Sequence, residues 1–216
     1  MGHAQGGVLA SPRYAMQDYP HLFEATLDSQ ELLRSHFLQV VCDTVRLPDG
    51  KRATRDYIVH PGAVMVVPLL DTPDGLRVVL ERQYRYPVRQ AMVEFPAGKL
   101  DKGEDTLVCG MRELLEETGY TAAEWAHAGV IHPCISYSTE FIDVWFARGL
   151  QLGTRQLDEG EFLDVFTASP ADLLRWCCTG EVTDAKTLSG TLWLQNVLSG
   201  AWTLDWQSVA QAGAAG

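Results

Sequence analysis

The chain has 216 residues, and its hydrophobic share of 46% and charged share of 21% are those of a globular protein, which excludes disordered, fibrous and coiled-coil classes. Seventeen lysines and arginines against 28 aspartates and glutamates give a net charge of −11, which disfavours a general nucleic-acid binder. The longest apolar stretch, Ala63 to Leu70, is far shorter than a membrane span. We therefore expect neither a nucleic-acid nor a membrane partner.

Short apolar runs separated by turn residues predict seven strands along the chain. The turn at 48–50 separates the first two strands, and the turn at 72–75 separates the next two. The predicted strands are Leu38 to Leu47, Arg55 to Val59, Ala63 to Leu70, Arg77 to Arg82, Met92 to Phe95, Ala126 to Ile131 and Phe141 to Ala147. Strands therefore dominate the first half of the chain.

Three helices are predicted from the helical period and from residues that start and stop helices. The first runs from about Asp105 to Thr118 and stops at Gly119. The others run from Ser169 to Cys178 and from Asp184 to Leu198. A strand-rich first half followed by one internal helix and two late helices favours an α/β (α+β) fold with mostly antiparallel or mixed strands.

The first predicted helix carries three glutamates on one face. On a helical wheel Glu116 and Glu117 fall at about −60° and +40° from Glu113, and apolar residues fall on the opposite side. Clustered carboxylates repel one another unless a cation lies among them, and Mg²⁺ prefers oxygen ligands. Arg112, four residues before Glu116, can hold that carboxylate in place. By itself, such a stripe is more often a solvated acidic face than a metal site.

The five cysteines are odd in number, contain no CxxC pair and include an adjacent doublet. They are Cys42, Cys109, Cys134, Cys177 and Cys178. This usage is typical of thiols in a reducing compartment, and it predicts a cytoplasmic protein.

The residues around the acidic helix form a long motif. From Gly98 the chain reads GKLDKGEDTLVCGMRELLEETGY, in which Glu104 follows Gly98 after five residues and Arg112 follows after seven more. This run matches every fixed position of the Nudix box, so the chain resembles the Nudix hydrolases. The resemblance implies a Nudix α/β/α sandwich with a mixed sheet, and metal-assisted hydrolysis of a nucleoside diphosphate linked to another moiety.

Beyond the box, the chain is similar to the ADP-ribose pyrophosphatase branch from about Phe37 to Val197. The runs LPDGK, HPGAV, RQYRYP, VEFPAGKL, LDEGEF and DAKT carry this similarity. It implies that the enzyme cleaves ADP-ribose to AMP and ribose 5-phosphate. Ile135 stands where such enzymes usually carry a proline, so a GDP-mannose or other nucleotide-sugar pyrophosphatase is an alternative. A non-catalytic ligand-sensing module is a third interpretation, but sensors commonly lose box carboxylates that are complete here.

The resemblance also implies roles for individual residues. The metal, Mg²⁺ with Mn²⁺ as an alternative, would be bound by Glu113, Glu116, Glu117 and the carbonyl of Ala97, with Arg112 orienting the carboxylates. Glu140 would act on the attacking water, while Glu104 is interpreted as structural. The substrate-binding positions are Arg85 for the pyrophosphate, Arg55 near the adenine and Arg82. Arg82 and Arg85 cannot share a face unless the strand ends between them.

A domain division and an oligomeric state follow from the same resemblance. We expect a partly disordered N-terminal extension, a small antiparallel β subdomain, the Nudix domain and a C-terminal tail. Their ranges are 1–36, 37–60, 61–200 and 201–216. Enzymes of this branch are typically homodimers that exchange their N-terminal strands, and strands left with open edges favour the same arrangement here.

Overall fold

The computed structural model describes residues 19–157 and 160–209. No helix in these ranges is long and apolar enough to cross a membrane. The described residues form two compact units, one of residues 19–60 and 134–139, the other of 61–133, 140–157 and 160–209. The start of the predicted extension, the end of the predicted tail, and two residues of the LDEGEF run lie outside the described residues. The boundaries at 36, 60 and 200 remain predictions.

The first unit is a three-stranded antiparallel sheet in the order β1-β2-β3. Its strands are β1 (Ala25–Arg34), β2 (Gln39–Arg46) and β3 (Arg52–Val59). At the predicted turn between β2 and β3, the Asp49 carboxylate accepts a hydrogen bond from the Lys51 amide. The other edge of β3 forms a short parallel bridge between Ile58 and Ser138. The predicted N-terminal antiparallel sheet is therefore present.

Strand β1 was not predicted, and it lies within the range 1–36 that was predicted as an extension. Nine of its ten residues are exposed, and its sequence ATLDSQELLR has no alternation of apolar and polar residues. Backbone hydrogen bonds to β2, in register from Ala25↔Arg46 to Arg34↔Gln39, define this strand. A strand that is specified by its partner rather than by a buried face leaves little trace in sequence periodicity.

The second unit contains one mixed sheet and three helices. Its strands are β4 (Ala63–Thr72), β5 (Gly75–Arg85), β6 (Gln90–Glu94), β7 (Ala97–Lys99), β8 (Tyr120–Ile131), β9 (Ile142–Leu152), β10 (Leu163–Ala168) and β11 (Gln207–Ser208). The order is β10-β5-β4-β9-β8-β11, with β6 paired to β5 and β7 paired to β4. Strands β4 and β9 are parallel, and the other pairs are antiparallel.

The helices α1 (Thr106–Thr118), α2 (Pro170–Thr179) and α3 (Ala185–Leu198) cover the two faces of this sheet. Val64 and Val66 of β4 pack with Leu114 of α1 in one buried cluster. Met65 and Val67, which alternate with them, pack in a second cluster with α2 and α3. The two apolar faces of β4 therefore each receive a helical layer. The predicted α/β/α arrangement with a mixed sheet is confirmed.

The helix boundaries agree with the predicted signals. Asp105 caps α1, since its carboxylate accepts hydrogen bonds from the amides of Leu107 and Val108. Gly119 ends the helix in the left-handed region with φ of 79°, which glycine adopts without strain. Side chains of Ser169 and Asp184 cap α2 and α3 in the same way. The caps fix where the acidic face of α1 begins and ends.

Several strand boundaries differ from the prediction. Strand β8 begins at Tyr120 rather than Ala126, and β10 was missed. Strand β5 runs three residues further than predicted, to Arg85, because β6 pairs with it through Arg85↔Gln90. This extension matters for the site, because it decides which face each residue of β5 occupies.

Candidate active site

The guanidinium of Arg112 joins the glutamates of α1 to the segment that precedes it. It donates to Glu113 at 2.7 Å, to Glu116 at 3.1 Å and to the carbonyl oxygen of Lys99 at 3.2 Å. It also forms two hydrogen bonds to Glu104, at 2.9 and 3.0 Å. The predicted orienting contact from Arg112 to Glu116 is thus present, and Arg112 orients Glu113 as well.

Glu104 has the structural position that was predicted for it. Its carboxylate receives the two Arg112 bonds and a hydrogen bond from the Asp101 amide at 2.9 Å. The hydrogen bond from Arg112 lowers the pKa of Glu104 to about 2. Glu104 therefore holds a permanent charge that keeps Arg112 in place.

The turn before the helix fits closely against two of the α1 glutamates. A Cβ placed on Gly98 would lie 1.9 Å from the carboxyl carbon of Glu113, so a side chain at this position would displace the Glu113 carboxylate. The neighbouring amide of Ala97 donates to Glu117 at 3.0 Å. Glu113 and Glu117 therefore lie against the turn of Ala97 and Gly98, and the metal-binding role of these residues stays a prediction.

Burial and mutual repulsion perturb these carboxyl groups. Burial raises the pKa of Glu113 to about 6, although Arg112 opposes this rise. Burial, with the charges of Glu81, Glu113 and Glu161, raises the pKa of Glu117 to about 10. In the described residues, no three acidic, histidine or cysteine side chains converge on one point, and Glu113 and Glu116 bond to Arg112 instead.

Glu81 of β5 belongs to the same region and was not predicted. It is fully buried, and neither of its carboxyl oxygens has a hydrogen-bond partner among the described residues. Burial, reinforced by the charge of Glu94, raises the pKa of Glu81 to about 8. A charged residue directly after the apolar run Val78, Val79 and Leu80 is the sequence signal that could have identified it.

Beside Glu81, a second buried glutamate is fully paired. Arg85 donates to both oxygens of Glu94, at 2.7 and 2.9 Å. Lys186 of α3 bonds to Glu94 as well and to Asp184 at 3.1 Å. Burial opposes the charged form of Glu94, but Arg85 and Lys186 together hold its pKa below the ordinary value. These four residues, Arg85, Glu94, Asp184 and Lys186, are called the ion network below.

Residues of β5 alternate between the two faces of the sheet. Gln83 and Arg85 share the face of Glu81, and Gln83 donates to Glu161 at 3.3 Å. Arg82 occupies the opposite face, where its guanidinium lies 4.9 Å from the centre of the Phe166 ring. The structure therefore brings Arg85 to the candidate site and places Arg82 elsewhere, which disfavours the predicted substrate role of Arg82.

Comparisons with known proteins agree with this geometry. The NUDIX domain family matches residues 59–189, the range that contains the acidic helix and the turn before it. The chain belongs to the Nudix hydrolase family. The N-terminal domain of nucleoside diphosphate sugar hydrolases matches residues 24–58, which are the strands of the first unit. The protein is therefore a Nudix hydrolase of the nucleoside diphosphate sugar type.

Individual relatives cover most of this Nudix hydrolase. It is 35% identical over 176 residues to the ADP-ribose pyrophosphatase of Bacillus subtilis (strain 168), and the aligned region covers 81% of this chain and 94% of that protein. It is 34% identical over 176 residues to the methanol dehydrogenase activator of Bacillus methanolicus, and the aligned region covers 80% of this chain and 92% of that protein. A solved structure of an ADP compounds hydrolase has a TM-score of 0.73 and 23% identity, covering 82% of this chain and 95% of that one, which shows a common fold.

Two further predicted positions, Arg55 and Glu140, belong to other parts of the chain. Arg55 lies in the first unit, where it forms an ion pair with Glu24 at 2.5 Å. Glu140 lies two residues before β9 and is half-buried. Glu161, which was not chosen from the sequence, is the loop acid whose charge raises the pKa of Glu113 and Glu117. The substrate role of Arg55 and the role of Glu140 on water remain predictions.

Proposed function

We propose that this Nudix hydrolase cleaves the pyrophosphate bond of ADP-ribose, with water, to AMP and ribose 5-phosphate in a Mg²⁺-dependent reaction. The observation that carries the proposal is the buried Glu113 and Glu117 pair against the Ala97 turn. The ADP-ribose pyrophosphatase of Bacillus subtilis, similar over most of its length, supports the choice of substrate.

The residues around the turn fit a hard divalent cation. The donors are carboxylate oxygens of Glu113, Glu116 and Glu117 and the carbonyl oxygen of Ala97, all of the type that Mg²⁺ prefers. Glu117 is 3% exposed, and burial together with the charges of neighbouring acids raises its pKa. When bound, Mg²⁺ lowers the pKa of a water ligand and offsets negative charge on the phosphates. Mn²⁺ fits the same donors.

The chain's own residues orient the reacting groups. Arg85, held by Glu94, is 40% exposed and presents the remaining guanidinium donor to a substrate phosphate. Arg112 fixes the rotamers of Glu113 and Glu116. A carboxylate within reach of the water removes its proton while the water oxygen forms a new P–O bond to one phosphorus. The bond from that phosphorus to the bridging oxygen breaks, and the bridging oxygen leaves with the electron pair on the other phosphate. We assign the role of proton acceptor to Glu140 and keep Glu161 as the second candidate.

Separate substitutions distinguish the two candidate bases. Glu140→Gln and Glu161→Gln each remove a proton acceptor with little change of shape. We expect the variant of the true base to lose on the order of 100-fold or more in kcat. The other variant should keep kcat within a few-fold. If both variants keep full activity, neither residue is the base.

A substrate panel tests the reaction. Phosphate-coupled product detection is carried out on ADP-ribose, GDP-mannose, ADP-glucose, NADH and diadenosine polyphosphates, each with and without Mg²⁺. We expect the highest kcat/KM for ADP-ribose, and only with Mg²⁺. Preference for another compound would overturn the substrate assignment, and ADP-ribose binding without product release would indicate a sensor.

GDP-mannose or another nucleotide sugar is the second candidate substrate. Ile135, where a proline was expected from the resemblance, is 85% exposed in the first unit. An exposed side chain that differs from the expected one can change the sugar or base preference without changing the carboxylates. An Ile135→Pro variant that shifts the ratio of kcat/KM between ADP-ribose and GDP-mannose would locate this preference.

We further propose that the protein is a cytoplasmic homodimer. All five cysteines are unpaired thiols, which agrees with a reducing compartment. The edge strand β1 exposes Leu27, Leu32 and Leu33, and such an edge favours pairing with another chain. Light scattering at micromolar concentration should return twice the chain mass of 23.9 kDa. A single chain mass would contradict the dimer.

A further inference from the structure

Glu81 is a buried acid of the second unit that has no role in the mechanism proposed above. Glu81 lies within β5 and is fully buried among apolar neighbours of the same strand, Val79 and Leu80. Neither of its carboxyl oxygens has a hydrogen-bond partner among the described residues. A buried carboxylate without a donor is strongly unfavourable, so this position needs a compensating group.

The nearby cations do not supply that group. Arg85 directs Nε and Nη2 to the two oxygens of Glu94. Lys186 bonds to Glu94 and Asp184. Both cations act on Glu81 only through space. The ion network therefore compensates Glu94 and leaves the carboxyl group of Glu81 without a bonded partner.

Glu81 instead faces the acidic cluster of α1. Strand pairing places it directly opposite Glu94 and on the face of β5 that also carries Gln83 and Arg85. The Glu117 carboxyl is close enough to Glu81 that the charge of Glu81 disfavours the charged form of Glu117. Two buried carboxylates from different elements that meet without a donor between them form a strong ligand pair for a divalent cation.

We propose that Glu81 is an additional carboxylate of the divalent-cation site and binds the cation together with Glu117. The cation is then held by the central sheet as well as by the acidic helix. This inference rests on the proposed metal-dependent function, and it adds a ligand from outside the Nudix box. The extra negative charge raises the affinity of the site for Mg²⁺ and Mn²⁺.

Mn²⁺ binding to the full chain tests the proposal without relying on activity. Electron paramagnetic resonance measures free Mn²⁺ during titration at one fixed pH, for the wild type and for Glu81→Gln, Glu81→Asp and Glu117→Gln. Glu124→Gln is the matched control, because it removes one carboxylate from strand β8, where Glu124 pairs with Arg148 at the surface. Melting temperatures in EDTA show that each variant is folded.

We expect Glu81→Gln to raise the Mn²⁺ Kd at least tenfold, with a melting temperature in EDTA no lower than that of the wild type. Glu81→Asp should recover part of the affinity, and Glu124→Gln should match the wild type. A Kd for Glu81→Gln within twofold of the wild type, while Glu117→Gln binds weakly, would overturn this inference and leave the proposed function intact. A wild type that binds no Mn²⁺ would overturn both.

Discussion

Two groups of buried carboxylates lie side by side in the second unit, and their charges are balanced in different ways. In the ion network, Glu94 is bonded to Arg85 and Lys186, and these cations hold its pKa below the ordinary value despite burial. Next to it, Glu81 and Glu117 have no bonded cation among the described residues, and burial raises the pKa of both. The protein thus neutralises one group internally, and we propose that a cation neutralises the other.

The largest expected effect on activity comes from removing one of the two buried carboxylates that have no bonded cation, Glu81 and Glu117. Glu117→Gln keeps the side-chain shape and the Ala97 contact but loses a ligand charge. We expect kcat for ADP-ribose to fall by at least about 100-fold, because cation chemistry contributes several kcal/mol to such reactions. Steady-state kinetics with Glu124→Gln as control checks this, and an active Glu117→Gln would contradict the site assignment.

Removing a positively charged side chain from the ion network should lower the free energy of unfolding. Lys186→Met leaves Glu94, which is 2% exposed at its side chain, with one bonded cation fewer. Breaking a buried ion pair in this way costs about 3 kcal/mol of the free energy of unfolding. Urea denaturation measures the loss.

The surface pair of Lys51 with Asp49 offers the matched control for this change. Its lysine is 78% exposed at the side chain, and such pairs contribute little to stability. Lys51→Met should therefore leave the unfolding midpoint nearly unchanged. Equal losses for Lys51→Met and Lys186→Met would show that the ion network has no special role.

The pH dependence of stability separates the two groups further. Burial raises the pKa of Glu81 to about 8 and that of Glu117 to about 10, from 4.5 in the unfolded chain. Between pH 4.5 and 8 the folded protein therefore binds more protons than the unfolded chain, so its stability falls as the pH rises. We expect a lower melting temperature in EDTA at about pH 8.5 than at about pH 5.5.

Two additions sharpen this pH experiment. Mg²⁺ should restore the melting temperature at the higher pH, because it binds the ionised carboxylates. Glu117→Gln should flatten the pH dependence, since it removes one of the groups that titrate. A melting temperature in EDTA that stays constant or rises over this range would show that these carboxylates are compensated by the protein itself.

The smallest effect is expected from Arg82. Its guanidinium packs over Phe166 on the face of β5 opposite Arg85. Arg82→Ala should keep kcat/KM for ADP-ribose within about threefold, because a contact of this kind supports packing rather than substrate binding. Arg85→Ala should lose roughly tenfold or more, the value of a charge-assisted hydrogen bond to phosphate. A larger loss for Arg82→Ala would reverse the two assignments.

Local signals predicted much of this molecule. The caps and stop residues fixed α1, α2 and α3 to within a residue or two, because Asp105, Gly119 and Asp184 act on adjacent backbone. The helical period placed the acidic face of α1. Strand β1 escaped prediction because its pairing with β2, and not a buried face, defines it.

The contacts that site residues make with residues distant in the sequence were harder to predict. Glu94 and Lys186 are 92 residues apart, and Glu81 reaches Glu117 only through the packing of β5 near α1. Spacing along the chain carries no information about such tertiary contacts. Likewise, the sequence did not show that β5 continues through Arg85, because this depends on its pairing with β6. Only that pairing places Arg82 and Arg85 on opposite faces of the strand.

Anomalous diffraction from crystals soaked in Mn²⁺ is the most direct test of the proposed cation site, because it locates the cation without reference to activity. We expect a strong peak within bonding distance of Glu117 and the carbonyl oxygen of Ala97, and none at Glu94, whose charge is already balanced. A diffraction map with no peak at Glu117, or with the peak at Glu94 instead, would contradict the proposed cation site.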